Sequence, residues 1–228
     1  MHLRFIAIVM LAFTAFAQAT SVVRMPLSQV ADFSGQIVIG EVGSVESYWA
    51  DEPRRIESRI TLRNTEFLKG GQPGQRTLSF TVPGGSVGTW QARVAGAPEF
   101  RVGERWALCL LPAWKSFPTA GVHQGAFRLT SEGTVLDGRG QRVQQFDEHG
   151  FIVIHGSGSP LSSDAFLSRL REAATASRPV AVPRGAPVRL FPEYRPTSLK
   201  LAAQADAPPS APPPGIEQAP SPSREASP

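Results

Sequence analysis

From Arg55 to Arg63 the chain repeats with a period of two. Ile56, Ser58, Ile60 and Leu62 fall on one side, and Glu57, Arg59, Thr61 and Arg63 on the other. That spacing predicts a long strand over 55–67 with one wet and one buried face. The phase slips near Asn64, because Phe67-Leu68 is apolar again, which predicts a bulge. Shorter runs of the same kind predict strands over 36–45, 77–82 and 87–94. A hairpin is expected from 122–130 and 133–136, and a smaller pair from 142–146 and 151–154. The stretch 105–111 is nearly all apolar, as in a central strand covered on both faces. Helical spacing appears twice. Val30 and Phe33 follow Ser28, an expected N-cap. Phe166, Leu167 and Leu170 follow Ser163, another expected cap, with Arg169, Arg171 and Glu172 on the wet side. Tyr48 to Pro53 reads as a loop.

The two ends of the chain follow different patterns. Phe5 to Phe16 is an apolar run too short to span a bilayer. His2 and Arg4 precede it, and Ala17-Gln18-Ala19 follows. This is the pattern of a signal peptide over 1–19, with the mature chain starting at Thr20, or at Gln18 if cleavage follows Ala17. The expected location is therefore periplasmic or secreted. No later run is long enough to make the chain an integral membrane protein. From 202 to 228 the chain is rich in Pro, Ala and Ser and has almost nothing large and apolar to bury. It reads as a disordered tail that folding can do without. The expected organisation is a β-barrel domain over 20–176, an extended segment over 177–201, and the tail. Short strands, glycine-rich turns and few helices predict a mainly β fold, an OB-like barrel with short flanking helices.

Composition changes this picture little. Of 228 residues, 41% are hydrophobic and 18% charged, enough for one domain with a real core. The formal charge of +4 is scattered and forms no block that would mark a nucleic-acid face. There is a single cysteine, Cys109, which excludes an internal disulfide and reads as a buried small hydrophobe in the apolar strand.

Candidate chemistry is sparse. Asp147-Glu148-His149 with His155 has no compact metal spacing and reads as a solvated turn. His155-Gly156-Ser157-Gly158 lacks the glycine placement of a hydrolase elbow. Pro83-Gly84-Gly85-Ser86 could present N–H groups to an anion, but reads first as a tight turn at a barrel rim. No catalytic, cofactor or metal residue is assigned. Tyr48, Trp49, Trp90 and Trp114 flank predicted loops and are the candidate partner-binding residues.

Several segments in order resemble a group of exported bacterial proteins to which no activity is assigned. They are Ile37-Val38-Ile39-Gly40-Glu41-Val42, Phe67-Leu68-Lys69-Gly70, Val82-Pro83-Gly84-Gly85, Phe100-Arg101-Val102-Gly103-Glu104, Leu108-Cys109-Leu110-Leu111 and Gln124-Gly125-Ala126-Phe127-Arg128. The pattern is more distantly similar to the netrin-like, OB-type fold of tissue inhibitors of metalloproteinases. Those inhibitors bind zinc through an N-terminal cysteine, which has no counterpart here, so no inhibitory residue carries over. The resemblance implies the fold; the signal pattern, the barrel-like run of strands and the absence of a catalytic set lead to the expectation of a non-enzymatic exported binding or accessory module whose partner would be a protein, an exported protease being one candidate. The rival readings are a hydrolase pairing His123 or His155 with a serine, and a carbohydrate- or envelope-binding module using Trp49, Trp90 or Trp114.

Overall fold

The computed structural model describes residues 23–50, 55–114, 116–156 and 159–178, and the backbone of 216–218. The expected signal peptide lies outside the described residues, as do most of the extended segment and the tail. The fold is mainly β, with two short helices. Helix α1 (Leu27–Phe33) leads into β1 (Gln36–Ala50), β2 (Arg55–Lys69) and β3 (Thr77–Pro83). The short strands β4 (Gly85–Val87) and β5 (Trp90–Ala92) precede the central β6 (Arg105–Leu110). Then come β7 (Ala126–Leu129), β8 (Val135–Asp137), β9 (Gln145–Phe146), β10 (Ile152–Val153), helix α2 (Ser163–Ala176) and β11 (Ile216–Gln218).

Six strands make one antiparallel sheet in the order β3-β2-β1-β6-β7-β8. Its spine is the β1–β2 hairpin. β1 is longer than the sequence pattern predicted, because Tyr48 and Trp49 continue the ladder opposite Glu57 and Ile56. The register of that ladder shifts three times, at Ile37/Val38, Ile39/Glu41 and Val42/Ser44. The middle shift matches the predicted slip: Asn64 has a left-handed φ of 52° and Thr65 turns inward to 3% exposure. Each bulge sharpens the local twist, so the sheet coils.

The expected closed barrel is not formed among the described residues. β3 and β8 are the sheet's edges, and no ladder joins them. The outer edge of β8 is already taken by the chain that follows it. Asp137 N–H donates to Gln141 O at 2.8 Å, and Val143 N–H to Val135 O at 2.9 Å. An edge occupied by its own successor leaves β3 nothing to pair with.

Alternate residues of the central strands feed two cores. Ile37, Ile39, Ala107, Cys109 and Phe127 point toward the helices and pack with Val30, Phe166, Leu167 and Leu170. Val38, Val42, Trp106, Leu108 and Leu110 point the other way and pack with Ile60, Leu62, Phe80 and Phe100. β6 is therefore covered on both faces, as its unbroken apolar run predicted.

The helix caps differ from expectation by local competition. Ser162, not Ser163, caps α2, its Oγ accepting from Ala165 N–H at 3.2 Å. Ser163 Oγ is instead used on Thr134 O at 3.1 Å, tying the helix to the β7–β8 turn. α1 has Pro26 at its N-cap and no side-chain cap, so Ser28 sits inside the helix. One piece of the tail is described: Ile216–Gln218 pairs antiparallel with β5 and completes a β11-β5-β4 sheet.

Candidate functional site

A cavity of about 480 Å³ lies under the β4–β5 hairpin on the side of the sheet away from the helices. Its floor is set by strand register. Val45 stands opposite Ile60, Ser47 opposite Ser58, and Ser58 opposite Val82. All of these line the space. Ser58 shares its face with Ile56 and Ile60, so a hydroxyl falls where the pattern expects an apolar group, and it is 4% exposed. A hydroxyl buried there must find partners.

It finds them in the glycine turn. Ser58 Oγ donates to Gly84 O at 2.7 Å. Its only proton is thereby used, so in the 2.8 Å contact with Ser47 Oγ it is Ser47 that donates. Ser47 Oγ in turn accepts from Ser86 N–H at 3.2 Å, and Gly84 N–H donates to Ile56 O at 2.8 Å. The turn therefore points its N–H groups at the sheet and forms no open anion nest. Glycine is required at 85. Its φ is +132°, and a Cβ there would lie 2.2 Å from Ser58 Oγ and 2.4 Å from Ser47 Oγ.

Two layers close the cavity. Gln91 and Ala92 of β5 and the chain over 93–100 form the roof. Phe100 forms a side wall, held edge-on to Phe80 at 5.6 Å and tilted against Trp106 at 4.9 Å. At the rim Glu99 lies 3.7 Å from both Arg93 and Arg101, and all three are exposed. Pairs of this kind contribute little to stability, so the rim is polar but loosely held.

Tyr48, Trp49, Trp90 and Trp114 are all partly buried. Tyr48 and Trp49 are neighbours in β1, so they project to opposite faces of the sheet. Tyr48 belongs to a polar cluster on the face away from the cavity. Its hydroxyl donates to Glu57 Oε2 at 3.2 Å, Arg55 pairs with Glu57 at 2.5 Å, and Arg59 lies over the Tyr48 ring. Burial, opposed by a hydrogen bond to Thr81, raises the Tyr48 hydroxyl above its ordinary value; Glu57 adds to the rise. Glu57, expected on the wet face, is 3% exposed because these groups cover it. Trp90 sits in β5 opposite Val87 and Gln218, and Trp114 in the chain after β6.

The histidines are dispersed. His149 and His155 are exposed. Asp147 Oδ1 accepts from the N–H groups of His149 and Phe151, so Asp147-Glu148-His149 is a side-chain-fastened turn. His123 is buried, and both ring nitrogens face Arg139 Nη2 rather than a serine. Among the described residues no three His, Cys, Asp or Glu side chains gather as a metal site would need. Cys109 is fully buried, and burial pushes its thiol from an ordinary 9.0 up to about 12, against weaker lowering by Ser34 and Lys69. It is a packing residue, with no thiolate character near neutral pH.

The chain matches no protein-family model, no curated protein and no solved structure.

Proposed function

We propose that this chain is an exported, non-enzymatic binding module that captures an extended segment of a partner protein along β5. The observation that carries the reading is the pairing of β5 with Ile216–Gln218. Ala92, Gln91 and Trp90 stand opposite Ile216, Glu217 and Gln218 in an antiparallel ladder. An edge that accepts one extended segment offers main-chain bonds to another. The cavity beneath, bounded by Gln91 and Ala92, can take a side chain that points inward. The signal-like start supports an extracytoplasmic setting. The OB-like, netrin-like reading of the coiled sheet belongs to the same proposal. It rests on the ordered segments that carry the resemblance and on the bulges that curl β1 and β2. That relationship would make an exported protease the natural class of partner.

On this reading the tail is an occupant held in the same chain. Removing residues 202–228 should tighten partner binding, because a tethered competitor acts at high effective concentration. The test is a pull-down from periplasmic or secreted extract with the chain cut after residue 178, followed by titration of the purified partner. Gln91→Pro, which spoils the β5 ladder, should abolish binding. A partner that binds the Gln91→Pro chain equally well sinks the proposal. So does turnover of ester or peptide substrates by the purified protein.

A further inference from the structure

A second cavity, about 210 Å³, lies where the N-terminal segment crosses the β7–β8 hairpin. It is separate from the β5 edge. Gln124 builds its outer wall by holding that segment as a strand would: Oε1 accepts from Met25 N–H and Nε2 donates to Val23 O, both at 2.7 Å. Phe127, Ile152 and Ile154 supply an apolar side. The polar end is made by the hairpin, which places Asp137 opposite Phe127 and turns Gly138 against His123.

Asp137 is 4% exposed. Its Oδ1 accepts from the N–H groups of Arg139 at 3.0 Å and Gln141 at 2.8 Å. Its Oδ2 is buried and has no partner among the described residues. A carboxylate oxygen in that position calls for a donor. Beside it Arg139 gives Nη2 to His123 Nε2 at 2.5 Å, and its Nε and Nη1 have no partner among the described residues. Arg24 reaches across from the strap, donating to Ile152 O at 2.6 Å and lying over the Phe151 ring. The cavity thus offers one acceptor without a donor, one guanidinium with only its Nη2 engaged, and an apolar wall.

We propose that this cavity binds a small α-amino or α-hydroxy acid with an apolar side chain. Its ammonium or hydroxyl donates to Asp137 Oδ2, its carboxylate takes the free side of Arg139, and its side chain lies on Phe127, Ile152 and Ile154. A bare amine would satisfy Asp137 but face two guanidiniums. A bare anion would satisfy Arg139 but meet the Asp137 oxygen uncompensated. Two arginines beside one carboxylate leave the site net positive, which favours a ligand with a carboxylate. At about 210 Å³ the space suits a small acid and lies below the roughly 300–1,000 Å³ of pockets for drug-sized ligands.

Calorimetric titration of the full mature chain separates the parts. The probes are leucine, leucic acid, isocaproate (which lacks the donor) and isoamylamine (which lacks the carboxylate). Leucine or leucic acid should bind, and whichever is tighter says whether the donor is ammonium or hydroxyl. Isocaproate and isoamylamine should each bind at least about tenfold more weakly, the expected loss of one charge-assisted hydrogen bond. Arg139 is exposed, so Arg139→Gln should fold normally yet lose binding to the same degree. Asp137→Asn, which turns the acceptor into a donor, should reduce the preference for leucine or leucic acid over isocaproate. The inference fails if neither acid binds at millimolar concentration. It also fails if isocaproate equals the better acid, or if Arg139→Gln binds unchanged.

Discussion

The two faces of the six-stranded sheet are built from the same strands and finished differently. On the helix side α2 seals the core: Phe166 is fully buried, 4.6 Å from Phe127 and 6.1 Å from Phe146. On the other side, among the described residues, no helix is laid down. A three-residue hairpin strand pair and a loop roof the space, and about 480 Å³ stays open between roof and sheet. Apolar side chains define both faces. What separates them is the polar pair Ser47 and Ser58, which fastens the roof by hydrogen bonds instead of packing. One face is closed over its centre by a packed helix and keeps only a smaller cavity at its polar corner, and the other leaves the larger space open beneath its roof.

The contrast can be broken most directly by truncating one aromatic on each side. Phe166→Ala should cost about 3–5 kcal/mol, the usual cost of emptying a packed aromatic site. Phe100→Ala should fall at or below the low end of that range, because the adjoining space lets its neighbours relax. Equal shifts in denaturant midpoint would erase the distinction between the faces. Next in size, Gly85→Ala should cost about 1–3 kcal/mol, since it forces a side chain into a left-handed backbone position against two serine oxygens. A neutral result by thermal melting would mean the roof is not fastened as described.

A smaller effect tests the helix side's own polar corner. Burial, then Arg139, lower the His123 pKa from 6.5, while Asp137 acts in the opposite direction. Arg24 adds a second cation across the cavity. The unfolded chain therefore binds the proton more readily than the folded one. Stability from this group is whole above about pH 6.5 and falls as the pH drops through the lower folded value. His123→Gln should flatten the decline that sets in below about pH 6.5. An unchanged slope would show that other groups cause it. The smallest change is expected for removal of 202–228, less than about 0.5 kcal/mol, because the stretch is Pro-, Ala- and Ser-rich and contributes one three-residue edge strand to the described fold. Loss of cooperative unfolding in that truncation would make the tail part of the fold.

Much of the sheet could be read from single residues. The alternation from Ile56 to Leu62 and the slip at Asn64 are local facts of sequence, and both appear as strand and bulge. The extension of β1 could not be read. Ser47, Tyr48 and Trp49 follow Glu46 in a run with no apolar period, and only pairing with β2 makes it a strand. Glu57 looks wet by position and is buried by Arg55 and Tyr48, a tertiary effect. Ser58 carried a signal that was open to reading, a hydroxyl on the buried face. The polar corner of His123, Asp137 and Arg139 was harder. Its members are joined by the β7–β8 register, while Asp137-Gly138-Arg139-Gly140 reads on its own as a turn and nothing more. The barrel expectation failed at β8, where the chain's local return along its own edge was invisible to strand periodicity.

The sharing of β1 and β6 has a thermodynamic consequence. Ile37 and Ile39 serve one core and Val38 and Val42 the other; Ala107 and Cys109 are divided in the same way from Trp106, Leu108 and Leu110. A strand cannot be lost to one side and kept for the other. The described domain should therefore melt as a single unit, with its calorimetric and van't Hoff enthalpies equal. The β4–β5 roof, fastened to the sheet by the Ser47 and Ser58 hydrogen bonds, is a part free to open before the rest.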